Sequence, residues 1–163
     1  MDSSRKIVSV KQLLAKLKIL KRARKTIAFT NGCFDILHMG HVSYLEKAKQ
    51  NDRVFVIGLN SDASVRKLKG PKRPIVSQQA RARVLAGLAC VDFVTIFNEE
   101  TPIKLIAQVK PDVLIKGADW KGKEVAGADV VKKNGGRVEF IKFVNNFSTT
   151  NIIGSILEKC ACQ

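Results

Sequence analysis

Hydrophobic and polar positions along this chain follow two periods. Two short apolar runs, 26–29 and 53–59, read as buried strands, and 91–97, 111–116 and 137–143 read as three further strands. Between them, apolar residues recur at helical spacing. Val10, Leu13, Leu14, Leu17 and Leu20 make one such stripe, and Val42, Tyr44, Leu45 and Ala48 make another from His41 onward. Val84, Leu85 and Leu88 are expected on the core face of a helix opened by Ser77, and Ser148 opens a last helix carrying Ile152, Ile153, Ile156 and Leu157. Ser9 and Gln12 have the spacing of a capping box. Ser61 or Asp62 caps a short helix through Leu68, and Thr101-Pro102 has the form of an N-cap followed by a proline at the first helical position. A helix over 124–133 stops at Asn134-Gly135-Gly136. Buried strands alternating with helices predict the α/β class, with a five-stranded parallel sheet covered on both faces. Ligands of such sheets sit at the strands' carboxyl ends, near the switch in strand order. Asn31-Gly32, expected to break the first strand, and Asn60-Ser61-Asp62 both follow strands at that edge.

Length and composition change this picture little. A chain of 163 residues with 45% hydrophobic and 26% charged residues suits one globular domain, 1–163, with a real core. Its charge is less ordinary: 29 Lys+Arg against 14 Asp+Glu give a formal +15, which attracts anions such as nucleotides, sugar phosphates, nucleic acid or acidic membrane. No apolar run of about 18 residues is present to span a bilayer, and no signal peptide is visible. Four scattered cysteines, Cys33, Cys90, Cys160 and Cys162, form no disulfide framework and fit a reducing, cytoplasmic setting. Cys160 and Cys162 are expected to be idle thiols in a frayed tail, 159–163. Residues 1–25 hold nine of the basic residues. They read either as a basic amphipathic helix for a membrane surface or nucleic acid, or as a first helix packed on the sheet with its lysines in water, which is favoured because it runs straight into the first strand.

The chemistry gathers after that strand. Strand, tight turn and helix start, in that order, aim unpaired amides and the positive end of a helix dipole at one point, which suits a phosphate. The turn carries both histidines of the chain, His38 and His41, with Gly40 between them. Residues three apart at a helix start share a face, so both imidazoles can donate to phosphate oxygens as charge builds in a transition state. Two plainer readings compete: a zinc site, which needs more ligands than the lone nearby Cys33 supplies, and simple helix capping. Farther on, 67–74 concentrates Lys67, Lys69, Lys72 and Arg73 among Gly70, Pro71 and Pro74, and reads as a mobile basic loop able to close over a polyanion. Asp119 could accept from a sugar hydroxyl or help hold a metal, while Trp120 could stack on a base or cover the core. Ser148, Thr149 and Thr150 at a helix start would make a second phosphate-binding end.

The string Asn31-Gly32-Cys33-Phe34-Asp35-Ile36-Leu37-His38-Met39-Gly40-His41 resembles the H-x-G-H signature of the cytidylyltransferase-like nucleotidyltransferases, and most closely the adenylyltransferase domain of ADP-heptose synthases. The resemblance covers roughly 10–158. It implies a Rossmann-like, doubly wound fold and transfer of AMP from ATP to a sugar 1-phosphate, D-glycero-D-manno-heptose 1-phosphate, for ADP-heptose and lipopolysaccharide synthesis. His38 and His41 would be catalytic together with Lys69, which matches a phosphate-contacting lysine, and Arg81, which matches an arginine near the substrate phosphates. Arg83 is expected in solvent, and Gln79 stands where the family often has a carboxylate. Nucleotide binding falls to Thr30, Asn31, Gly32, Cys33, Phe34, Gly40, Asp119, Trp120, Ser148, Thr149 and Thr150. Asp119-Trp120 lies in a variant of the family's Gly-Gly-Asp-Tyr element, and Ser148-Thr149-Thr150 matches a Ser-Thr-Thr motif that contacts the β- and γ-phosphates. Asp35, Lys69 and Arg81 would meet the acceptor. Mg²⁺ is expected, held chiefly by phosphate oxygens, with no firm protein ligand beyond Asp35 or Asp119 as helpers. Many relatives fuse a sugar kinase upstream, and this chain carries none, which implies a separate kinase; a homodimer is a family habit.

Glycerol-3-phosphate cytidylyltransferases, the nearest sister group, place Arg-Thr-Glu-Gly where this chain has Phe143-Val144-Asn145-Asn146, and the missing arginine counts against that activity. That activity, or another cytidylyltransferase, is the alternative within the family. The alternative from another class, a basic nucleic-acid-binding module, lacks a zinc finger, an RNP aromatic pair or a helix-turn-helix signature.

Overall fold

A computed structural model describes residues 2–50, 52–142 and 147–160. Its strands are β1 (Thr26–Gly32), β2 (Arg53–Asn60), β3 (Phe93–Phe97), β4 (Val113–Gly117) and β5 (Arg137–Ile141). All neighbours pair parallel in the order β3-β2-β1-β4-β5. The order reverses between β1 and β4, so their carboxyl ends flank the crevice where a doubly wound sheet takes its ligand. The Rossmann-like α/β expectation is met.

Alternation along the strands divides the core into two layers. Ala28, Ile57 and Ile115 face Tyr44, Leu45, Ala82 and Leu85, which come from α2 (Met39–Ala48) and α4 (Gln78–Gly87). Ile27, Phe29 and Leu114 face the other way, against Leu13 and Leu17 of α1 (Val10–Arg22), Leu105 and Ile106 of α5 (Ile103–Val109) and Val131 of α6 (Ala128–Lys133). Two further helices, α3 (Asp62–Lys69) and α7 (Thr149–Cys160), start at the strands' carboxyl edge. The basic N-terminal helix is therefore a packed layer. Its capping box of Ser9 and Gln12 forms as expected, and Lys21 Nζ at its end donates to the Val109 and Lys110 carbonyls at 2.9 and 2.5 Å. Among the described residues no helix is long and apolar enough to cross a membrane.

Several boundaries differ from the sequence expectation, for local reasons. Asn31 and Gly32 do not break β1, because they pair with Gly58 and Leu59 of β2. Lys67 and Lys69 belong to the last turn of α3, whose positive-φ C-cap Gly70 starts the basic loop. Pro102, not Thr101, is the N-cap of α5, with no side-chain cap. Gly127 at φ 84° delays α6 to Ala128. In α4 Arg81 occupies the buried face and Val84 turns outward, 50% exposed. Helix α7 runs on to Cys160. Residues 161–163, with Cys162, and 143–146, with the end of the fifth expected strand and the position of the missing arginine, lie outside the described residues.

Between α6 and β5 the chain passes close to its own backbone. A Cβ on Gly136 would stand 2.8 Å from both the Asp112 and Pro111 carbonyl oxygens and 2.7 Å from Val131 Cγ1. Gly136→Ala should therefore cost about 1–3 kcal/mol, the usual penalty of overpacking. The shift of the urea midpoint at unchanged slope measures it, and an unaltered midpoint would refute the close approach.

Candidate active site

The turn that leaves β1 is strained and tightly held. Phe34 and Ile36 adopt φ 45° and 52°, a region that a β-branched residue avoids unless its surroundings fix it. Asp35, between them, has a fully buried side chain. Its carboxylate accepts from Arg73 Nε at 2.5 Å and from the Ile75 and Val76 amides at 2.9 Å each. Burial alone would raise its pKa, yet those amides and the guanidinium carry it below the usual carboxylate value. The main chain of Asp35 also takes a hydrogen bond, from Thr149 Oγ1 of α7 at 2.7 Å. The basic loop is thus pinned to the turn through Arg73, Ile75 and Val76, contrary to the expected free flap.

Helix α2 starts where this turn ends. His38 is its N-cap residue, but the imidazole makes no capping hydrogen bond. The first helical amides, Met39 and Gly40, have no carbonyl within the helix to bond. Gly40 has a steric reason: a Cβ there would come within 3.1 Å of the His38 ring. The His38 and His41 rings stack at 3.8 Å, inclined by 24°, with Phe34 5.3 Å from His41. Both Nδ1 atoms are buried without a hydrogen-bond partner among the described residues. Burial, and then the neighbouring His38, pushes His41 down to about 4; burial also lowers His38. Both rings are accordingly neutral at pH 7, each with one N–H to give. Among the described residues no three His, Cys, Asp or Glu side chains converge to hold a metal, so the zinc reading lacks ligands and the capping reading lacks its bond.

A cavity of about 620 Å³ opens beside His41, whereas His38, stacked behind that ring, and Gly40 lie off its lining. Asn31, Gly32, Cys33, Phe34 and Asp35 line it from β1 and the turn, and His41 from α2. Lys69 at the end of α3, Trp120 after β4, and Thr149 and Thr150 of α7 complete the expected set within it. Other expected residues stand behind this wall. Thr30 is buried, its hydroxyl paired with Tyr44 at 2.8 Å and the Ile115 carbonyl at 3.1 Å. Ser148 caps α7 through the Asn151 amide at 3.0 Å. Asp119 is exposed and off the cavity lining. Arg81 is buried with its guanidinium committed: to Asp62 at 2.7 Å, to the Val76 carbonyl at 2.9 Å and to the Cys33 carbonyl. Arg83 is about half exposed, 53% for its side chain, and bonds Ser3 Oγ at 2.5 Å.

Two cavity cations escaped the sequence reading. Arg73 was one charge among several in the basic loop, and only the fold reveals its bond to Asp35. Lys116 closes an apolar strand and reads in the sequence as no more than the strand's end, yet only 9% of it is exposed and it lines the cavity. A lysine inside a strand buried on both faces was the available signal.

Comparison with known proteins converges on the same region. A family model described as cytidylyltransferase-like matches residues 29–155. A relative named "Bifunctional protein HldE" from Geobacter metallireducens is 54% identical over 156 residues, covering 96% of this chain and 32% of the relative. Another of that name, from Campylobacter jejuni subsp. doylei, is 54% identical over 158 residues, 97% of this chain and 33% of its own length. The chain thus spans about a third of the length of the curated relatives it matches. Among solved structures, a lipopolysaccharide core biosynthesis protein from Thermoplasma volcanium superposes with TM-score 0.60 at 28% identity, covering 73% of this chain and 96% of that one. Pantothenate synthetase from Thermus thermophilus reaches the same TM-score at 18% identity, over 90% of this chain and 67% of that one, a likeness of fold alone.

Asp35→Asn should destabilise the protein by about 3 kcal/mol at pH 7, because it leaves Arg73 with a weakened buried partner. The folded-state pKa of Asp35 is depressed, so its contribution is present above the ordinary carboxylate pKa and is lost as pH falls through the folded value. The gap in urea midpoint between the two proteins should narrow as pH falls from 5 towards 3. A gap that stays constant would show that the carboxylate charge is not what holds the loop.

Proposed function

This chain belongs to the cytidylyltransferase-like family, and from that premise we propose that it is a nucleotidyltransferase moving AMP from ATP to D-glycero-D-manno-heptose 1-phosphate, with ADP-heptose and pyrophosphate as products. The observation that carries this reading is the stacked pair His38 and His41, with two unpartnered buried nitrogens at a helix mouth beside the switch in strand order.

In the reaction an oxygen of the sugar phosphate attacks the α-phosphorus in line. The new P–O bond forms as the bond to the bridging oxygen breaks, and the electron pair leaves with pyrophosphate. No general base is needed, since a phosphate monoester is anionic at pH 7. Catalysis then rests on positioning and on donors aimed at the charge that develops. His38, His41 and the first amides of α2 supply those donors. An arriving phosphate opposes the burial that keeps the rings neutral and draws them towards the imidazolium form. Lys69 and the start of α7 meet the triphosphate tail. Arg81, its donors committed, acts by holding the Cys33 carbonyl and the Val76 end of the loop in place. Asp35 works the same way. With both its oxygens occupied it is no metal ligand, and Asp119 lies off the cavity lining. The residues present thus supply no protein cage for Mg²⁺, which comes with the phosphate oxygens of its nucleotide. The acceptor is the product of a sugar-phosphorylating reaction, and the setting is cytoplasmic.

Pyrophosphate release measured for each NTP against a panel of sugar 1-phosphates and glycerol 3-phosphate should single out ATP with the heptose phosphate. Turnover of CTP with glycerol 3-phosphate would move the chain to the sister branch. His38→Ala and His41→Ala should each lower kcat by about 10²–10³ with unchanged circular dichroism, and near-normal turnover in either would reject the assignment.

A further inference from the structure

We propose that Lys116 is a substrate-contacting residue of this site, whose ammonium on the cavity wall at the carboxyl end of β4 grips a phosphate oxygen of the bound reactants. Its partners are too few for a lysine that is nine-tenths buried. An ammonium carries three donors, and the one hydrogen bond it makes among the described residues goes to a neutral acceptor, Asn31 Oδ1 at 2.5 Å. The Trp120 ring lies 5.8 Å away. Asp119, on the turn that follows β4, is the carboxylate that acts on Lys116, and among the described residues the two form no ion pair.

Lys6, off the cavity lining, also gives one hydrogen bond to a neutral carbonyl, that of Leu88 at 2.9 Å, but the part-buried Lys21 and Lys49 behave differently. Lys21 is satisfied by two carbonyls, and Lys49 by the Arg53 carbonyl and the Asp92 carboxylate. Those lysines are structural, and their charges are met within the chain. Lys116 instead lines the cavity with two N–H groups left over. Burial pushes it down to about 8, with Asp119 pulling weakly the other way. A buried cation in this condition is matched only when a ligand brings the anion. Its position selects the anion's location. Asn31, which it bonds, lies on β1 only a few residues before the histidine-bearing turn, and β1 and β4 flank the crevice of the sheet. The nucleotide phosphates and the acceptor phosphate share that chemistry. Lys116 acts within the nucleotidyl-transfer reading, on which the identity of these esters rests.

The test is calorimetric binding of ATP, inorganic pyrophosphate, heptose 1-phosphate and adenosine to the wild type, Lys116→Met and Lys116→Arg at pH 7. Lys116→Met should weaken at least one phosphate ligand tenfold or more while adenosine changes less than twofold, and Lys116→Arg should restore most of the loss. A loss confined to ATP and pyrophosphate puts the contact on the nucleotide; a loss confined to the sugar phosphate puts it on the acceptor. Phosphate affinities all within twofold of wild type overturn the assignment, as does a wild-type protein that binds no phosphate ligand. A wild type that takes ATP and pyrophosphate but no heptose phosphate sinks the heptose reading alone, and Lys116 is then judged on the first two ligands.

Should Lys116→Met fail to fold, the pH dependence decides. The ammonium form binds phosphate more tightly than the neutral amine, so wild-type affinity for the contacted ligand, ATP or heptose 1-phosphate, should fall above pH 8, by up to about tenfold per unit, until the bound-state pKa is reached. In Lys116→Arg that fall should vanish, because a guanidinium does not titrate there. Wild-type profiles flat to pH 9.5 for both ATP and heptose 1-phosphate overturn the contact.

Discussion

A buried carboxylate must be answered by donors or it will not stay ionised, and the way this protein answers Asp35 organises everything around the cavity. The donors come from the segment 73–76, so the basic loop that follows α3 is drawn against the turn that leaves β1. The carbonyl of the same residue receives the Thr149 hydroxyl, which brings the start of α7 to the turn as well. Two segments far from it in sequence are thereby fixed to one residue flanked by left-handed Phe34 and Ile36. The strain of that turn is tolerated because the contacts on either side over-determine it. Arg81 adds a second clamp, from below, on the Cys33 and Val76 carbonyls.

Local signals carried much of this into the sequence, and their reach explains what they missed. Apolar runs announced β1, β2 and β4, because a parallel strand buried on both faces leaves no polar alternation, whereas the edge strand β5 carries Arg137 and Glu139 and has no buried residue. Ser9, Ser77 and Ser148 announced helix starts because capping involves only residues three apart. His38 and His41 were legible for the same reason. The failures are long-range. Nothing near Asp35 or Arg73 in sequence tells that they bond across 38 positions, so the loop looked mobile. Arg81 looked like a phosphate ligand because its partners, Asp62 and two carbonyls, are assembled only by the fold. Val84 was expected inside because hydrophobicity outranks arginine in any periodic pattern; the buried Arg81 clamp reversed that order.

The cations around the cavity fall into two groups, and the division explains how a chain with formal charge +15 builds a selective site. Arg73 and Arg81 are committed to carboxylates and carbonyls of the protein, and so act as fixed struts. Lys69 and Lys116 line the cavity without a carboxylate partner among the described residues, and the two imidazoles are held neutral by burial. Groups of this kind are costly to hold together: a lysine whose charged form burial disfavours, two ring nitrogens unpartnered among the described residues and two left-handed residues. A ligand with several phosphate charges relieves most of these costs at once, whereas an uncharged ligand relieves few. On the proposed reading, binding therefore favours the polyphosphate end of a nucleotide, and the donors stand in place before charge develops on the phosphorus. That advance positioning is where electrostatic catalysis draws its strength, because little reorganisation remains to be done at the moment of reaction.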